Sequence, residues 1–142
     1  MRFVVAVDQG TTATKAYTLD EAGAFHPVCE LAHEQILPRQ GWVEHDPEAL
    51  LANVRQAVER GRASGAGAPA AVGLDNQGET VVAWDARDGR PLCNAIVWQD
   101  TRTREAIARL KAAGAEAETL ARAGLPLDAY FSAAKLRWIL DN

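Results

Sequence analysis

Short apolar runs open the chain, and helical spacing takes over later. Residues 2–8 (Arg-Phe-Val-Val-Ala-Val-Asp) predict a buried strand ending in a carboxylate. Gly10 permits a tight turn, and Thr14 to Asp20 predict a second strand returning antiparallel. Glu21-Ala22-Gly23 interrupts, and residues 24–37 hold a third, less regular extended segment. The first clear helix begins at Asp46-Pro47-Glu48, an N-cap, a proline suited to the first turn and an acid at the positive end of the dipole. Leu50, Leu51, Val54 and Val58 follow at helical spacing, and the helix is expected to fade into a flexible connector over Gly61 to Gly67. Residues 70–76 and 80–84 predict strands, Asp85 to Gly89 a turn, and Ala95 to Trp98 another strand. From Thr101 the pattern is helical, with Ile107 and Leu110 on one face. A last helix starts near Ser132 with Leu136, Ile139 and Leu140 as its buried stripe. Strands and helices mixed in this way predict an α/β fold. The sequence stops inside that last helical pattern, which predicts a piece of a longer chain.

Composition narrows the function. With 142 residues, 48% hydrophobic and 24% charged, the chain has room for one ordinary globular domain. A net charge of −4 excludes a general phosphate-backbone binder, so no nucleic-acid partner is expected. A local anion site at backbone N–H groups stays open. Phe3 to Val7 is too short for a signal-peptide core or a membrane span, so a cytoplasmic setting without a membrane partner is expected. Cys29 and Cys93 sit in apolar, strand-like stretches and read as buried free thiols, a single disulfide being the alternative.

Four segments carry candidate chemistry. The sharpest is Asp8-Gln9-Gly10-Thr11-Thr12-Ala13-Thr14-Lys15, a hairpin corner after a buried strand. Glycine lets backbone N–H groups approach phosphate oxygens, hydroxyls add hydrogen bonds, Lys15 adds charge, and a strand-end carboxylate can hold magnesium through water. A Walker A loop is excluded, because its spacing is absent and a strand follows instead of a helix. An ordinary hairpin rich in turn formers is the competing reading. In Asn76-Gln77-Gly78-Glu79-Thr80, polar side chains beside apolar strands need partners, and Glu79 suits substrate hydroxyls; a solvated loop is the alternative. Trp98 suits the apolar wall of a polyol pocket, and Tyr130 offers a ring and one hydroxyl; both have plain core readings as well. His26, His33 and His45 show no metal spacing, and His45 reads as a residue leading into the helix.

Together and in this order, these segments resemble the FGGY carbohydrate kinases, and within them the glycerol-kinase group. Carrying the resemblance are Val5 to Thr12, Gly41 to Glu48, Asn76 to Thr80, Asn94 to Asp100 and Gly124 to Ala133, which together span nearly the whole chain. It implies residues 1–142 as the incomplete N-terminal part of an actin-like/ribonuclease H-like ATPase domain, a mixed sheet with flanking helices. It implies ATP and Mg2+ as cofactors and a small polyol or sugar as substrate. Asp8 would position magnesium, Thr11, Thr12, Ala13 and Lys15 would lie near the transferred phosphate, and Gly78, Glu79, Trp98 and Tyr130 would face the substrate. The general base and the adenosine pocket would fall outside these residues.

Two departures stand out: Gly78 replaces an arginine usual in the group, and Lys15 replaces another. Loss of that guanidinium removes donors and opens space, which predicts weaker glycerol binding or a larger polyol. A truncated, non-catalytic polyol binder is a rival reading; an actin- or Hsp70-like ATPase would share only the phosphate hairpin. Apolar surface left open by an absent partner domain predicts self-association, so a homo-oligomer is expected.

Overall fold

The computed structural model describes residues 2–65 and 67–142. Contacts divide the chain into two units, one of residues 1–35 and 45–77, the other of residues 36–44 and 78–142.

The first unit is a four-stranded mixed sheet under a helix. Strands β1 (Phe3–Gln9), β2 (Ala13–Asp20), β3 (Phe25–Ala32) and β5 (Ala71–Asn76) lie in the order β3-β2-β1-β5. β2 pairs antiparallel with β1 and β3, whereas β5 runs parallel to β1. Strict alternation in β1 turns Phe3, Val5, Val7 and Gln9 to one buried face, where Phe3, Val5 and Val7 join Ala16 and Ala57 in the core.

Helix α1 (Pro47–Ser64) covers that face. Asp46 caps it as its sequence predicts, the carboxylate accepting the Glu48 N–H at 2.9 Å. Two expectations for α1 fail. Leu51 is exposed, the buried positions being Leu50, Ala57 and Gly61. Nor does the helix fade at Gly61: it runs to Ser64, because Gly61 is a packing residue and not a breaker. A Cβ at Gly61 would strike Val5, and one at Gly65 would strike the Phe3 ring, so these glycines, one turn apart, seat the helix on β1. Of the expected connector, Ala66 lies outside the described residues.

In the second unit, β4 (Glu44–His45), where the chain passes between units, pairs with β6 (Ala95–Ile96). The predicted strand over 80–84 is two isolated bridges, Val81 with Ile96 and Trp84 with Pro91, since its two ends pair with different segments and no continuous ladder forms. The turn at 85–89 is present, closed by the Gly89 N–H on the Asp85 carbonyl at 2.8 Å. Trp98 lies beyond the short β6.

The helical stretch after Thr101 is two helices, α2 (Arg104–Ala112) and α3 (Glu116–Ala123), broken where Gly114 takes φ 80°. Ile107 is buried but Leu110 is exposed. Helix α4 (Ser132–Asp141) starts where predicted, yet its buried residue is Lys135, while Leu136 and Leu140 are exposed. Both cysteines are free; Cys29 is half-buried in β3, but Cys93 is exposed, so the buried-thiol reading fails there.

Candidate functional site

The residues singled out by sequence fall into two groups, one in each unit. In the first, Gly10 closes the corner between β1 and β2, its N–H donating to the Ala13 carbonyl at 3.0 Å. A Cβ at Gly10 would stand 3.2 Å from that same oxygen, so the corner is tight enough to favour glycine. Asp8 is exposed at the strand end, and its register partners are Lys15 on β2 and Asp75 on β5. Lys15 pairs in turn with Glu30, its Nζ 3.9 Å from the carboxylate, an exposed and weak contact. Register therefore puts Glu30, Lys15, Asp8 and Asp75 in one row across the sheet. Thr12 is exposed and Ala13 buried.

What holds the corner is a polar relay that the sequence reading missed. Gln35 Nε2 and His33 Nε2 both bond the Thr11 carbonyl at 2.9 Å. His45 Nε2 donates to Gln35 Oε1 at 2.9 Å, and its Nδ1 accepts from Gln77 Nε2 at 3.3 Å. Gln77 also reaches Gln9 Oε1 at 3.3 Å, and Gln9 Nε2 donates to the Gly10 carbonyl at 2.8 Å. These partners require a neutral His45 carrying its proton on Nε2. Burial, followed by the nearby His33, lowers its pKa from 6.5 to about 4. The legible signal was Gln9, a polar residue at the fourth buried position of an alternating strand.

In the second unit Glu79 is the one non-glycine residue at positive φ (60°) among the described residues. Such backbone is costly for a glutamate and persists where its surroundings over-determine it. The surroundings here are the start of α4: Glu79 Oε2 accepts both the Ser132 N–H and its hydroxyl at 2.6 Å. The Ser132 hydroxyl, then its N–H, hold the Glu79 pKa below the ordinary carboxylate value, with the charge of Lys135 assisting against burial. Both of these bonds fall on Oε2. Ser132 was not singled out by sequence.

Trp98 donates its backbone N–H to Thr80 Oγ1 at 3.1 Å, and its ring meets Tyr130 edge-on with centroids 5.9 Å apart. Tyr130 also stands edge-on to Phe131 at 5.2 Å, and Asp128 accepts its backbone N–H at 2.8 Å. Trp98 and Tyr130 line a cavity of about 300 Å³ with Asp100 and Asp128. Glu79 lines a different, larger one of about 720 Å³ with Ser132, Phe131 and Trp138. Gly78 has open space where a side chain would stand and no positive φ.

The second unit also holds a buried ionic knot. Arg102 grips Asp100 with two bonds of 2.9 and 2.8 Å and reaches Glu44 at 2.7 Å. Its guanidinium lies 3.9 Å from the Trp42 ring centre and 4.6 Å from that of Trp138. Asp100 also accepts the Val43 N–H at 2.7 Å. This is where the Gly41–Glu48 segment, noticed in sequence but given no chemistry, makes its contribution.

The chain is 50% identical to a glycerol kinase of Rhizorhabdus wittichii over 99% of its own length and 28% of that protein's. Among solved structures it is similar to Plasmodium falciparum glycerol kinase with ADP (TM-score 0.94, 34% identity, 100% of this chain and 29% of that one). A ligand-bound xylulose kinase from Lactobacillus acidophilus shares the fold (TM-score 0.92, 22% identity, 100% of this chain and 29% of that one). The chain thus spans under a third of the length of these relatives. Residues 3–142 match the N-terminal domain of the FGGY family of carbohydrate kinases, and the chain belongs to that family.

Proposed function

We propose that this chain supplies the phosphate corner and part of the polyol site of an ATP-dependent kinase, with glycerol phosphorylated to glycerol 3-phosphate. The observation that carries this is Glu79: a carboxylate held in costly backbone, one oxygen pinned by Ser132, at the wall of a cavity of about 720 Å³. The likeness to glycerol kinases supports it.

A polyol hydroxyl oxygen would form a bond to the γ-phosphorus as the bond to the bridging oxygen breaks, and ADP would leave. The hydroxyl proton would pass to a base outside residues 1–142. This chain's part is orientation: Glu79 and Tyr130 for the hydroxyls, Trp98 for the carbon face, and Thr11, Thr12, Ala13 and Lys15 at the phosphate corner. Asp8 fits water-mediated magnesium, because it is an exposed strand-end carboxylate. Magnesium, when bound, would neutralise phosphate charge.

The open space at Gly78 favours a second reading, a larger polyol or sugar. We also propose a cytoplasmic, self-associating protein. Among the described residues no helix is long and apolar enough to cross a membrane, and Val72 and Leu74 on β5 lie exposed.

The test is steady-state kinetics on the protein at its natural length with a glycerol-to-pentitol panel. Tyr130→Phe should raise the glycerol KM about tenfold, the worth of one hydrogen bond in a desolvated site. Gly78→Arg should lower it by a similar factor and penalise larger polyols. Binding without phosphoryl transfer would replace the kinase with a polyol-binding protein.

A further inference from the structure

Lys135 is the largest fully buried side chain among the described residues. A buried ammonium is unfavourable unless its charge and its donors are matched. Its Nζ donates to the Tyr130 carbonyl and lies 5.9 Å from the centre of the Tyr130 ring. Glu79, Asp100 and Asp128 face it with negative charge, yet among the described residues none of them makes a direct ion pair with it. Burial pulls its pKa down, and those carboxylates oppose the fall.

The geometry is not that of a salt-bridge strut. The lysine fixes one main-chain oxygen, and its charge acts through space on the carboxylate at the start of its own helix. A leucine or methionine at this position would fill the space without the desolvation penalty, so packing alone does not account for an amine here.

We propose that Lys135 is a positioning residue for polyol recognition: from inside the second unit it holds the main chain at Tyr130, orients the Trp98–Tyr130 pair and provides the countercharge for Glu79. The inference rests on the reading of Glu79 and Tyr130 as the polyol-facing residues. It gives Lys135 no contact with the reacting atoms.

The experiment is kinetics of Lys135→Met in the protein at its natural length, with thermal unfolding recorded alongside and Glu79→Gln as a parallel variant. The glycerol KM is expected to rise about tenfold while the ATP KM stays unchanged, the size of a lost charge-assisted hydrogen bond. A lower melting temperature with both KM values unchanged would assign Lys135 to stability alone and overturn the proposal. If Glu79→Gln leaves the glycerol KM unchanged, the polyol reading itself fails. If Glu79→Gln raises it and Lys135→Met does not, only the role of Lys135 fails. Should Lys135→Met not fold, the 15Nζ resonance of Lys135 in the unmutated protein decides the matter. A shift on glycerol saturation supports positioning, and an unmoved resonance overturns it.

Discussion

In the sheet unit the polar groups packed behind the hairpin corner are neutral. Gln9, Gln35, Gln77 and His45 pass hydrogen bonds from one amide or imidazole to the next and end on main-chain carbonyls at the hairpin corner. In the helical unit the corresponding groups are charged: Arg102 clamped by Asp100 and Glu44 between two tryptophans, and Lys135 facing three carboxylates. A neutral relay tolerates the loss of one link, since water or a rotated amide can replace it. A buried charge whose partner is removed has no such recourse. The two units should therefore fail under different insults, and variants can separate them.

The largest effect is expected at Arg102. Arg102→Met strands Asp100 and Glu44 and should destabilise the helical unit by about 3–5 kcal/mol, read by urea denaturation. A loss below about 1 kcal/mol would mean that the carboxylates find other partners, and the contrast between the units would weaken.

Acid should strike the sheet unit next. His45 titrates near 6.5 when unfolded and at about 4 in place, so between these values the unfolded chain binds more protons. Its contribution is complete above the unfolded value and is lost as pH falls through about 4; on the order of 2–3 kcal/mol is at stake. His45→Gln should flatten the stability profile between pH 6.5 and 4.5, a window lying above the lowered carboxylates Asp20, Glu79 and Asp85. An unchanged slope there would remove His45 as its source.

The smallest is Gly61→Ala. Overpacking against Val5 should cost roughly 1–2 kcal/mol after the helix-propensity gain of alanine, whereas Gly73→Ala, with open space at its Cβ, should be near neutral. Equal melting temperatures for the two variants would show that α1 shifts to accommodate the methyl.

The same contrast explains what was legible in the sequence. β1, β2 and the start of α1 could be read because alternation, a turn glycine and an Asp-Pro-Glu cap are local signals that the core obeys. Gly61 misled because the residue that breaks a helix in isolation is also the residue that lets a helix sit close to a strand. In the helical unit, Lys135 sits on the buried side of α4 where an apolar stripe was expected, and the bridges at Val81 and Trp84 each depend on a single partner residue. Glu79, Trp98 and Tyr130 stood out as candidates through resemblance and chemistry together. The relay behind Thr11 was invisible because its members are spread from Gln9 to Gln77, and no local spacing joins them.

The arrangement at Glu79 ties recognition to folding. The carboxylate read as greeting a substrate is also the cap of α4, binding the first turn of that helix through Ser132. A ligand that draws this side chain toward itself must loosen the helix, and one that leaves it in place inherits a rigid acceptor whose ordering cost was met when the chain folded. Under the proposed function, selectivity at such a residue would be mechanical as well as chemical: a molecule would be accepted according to how little it asks Glu79 to move.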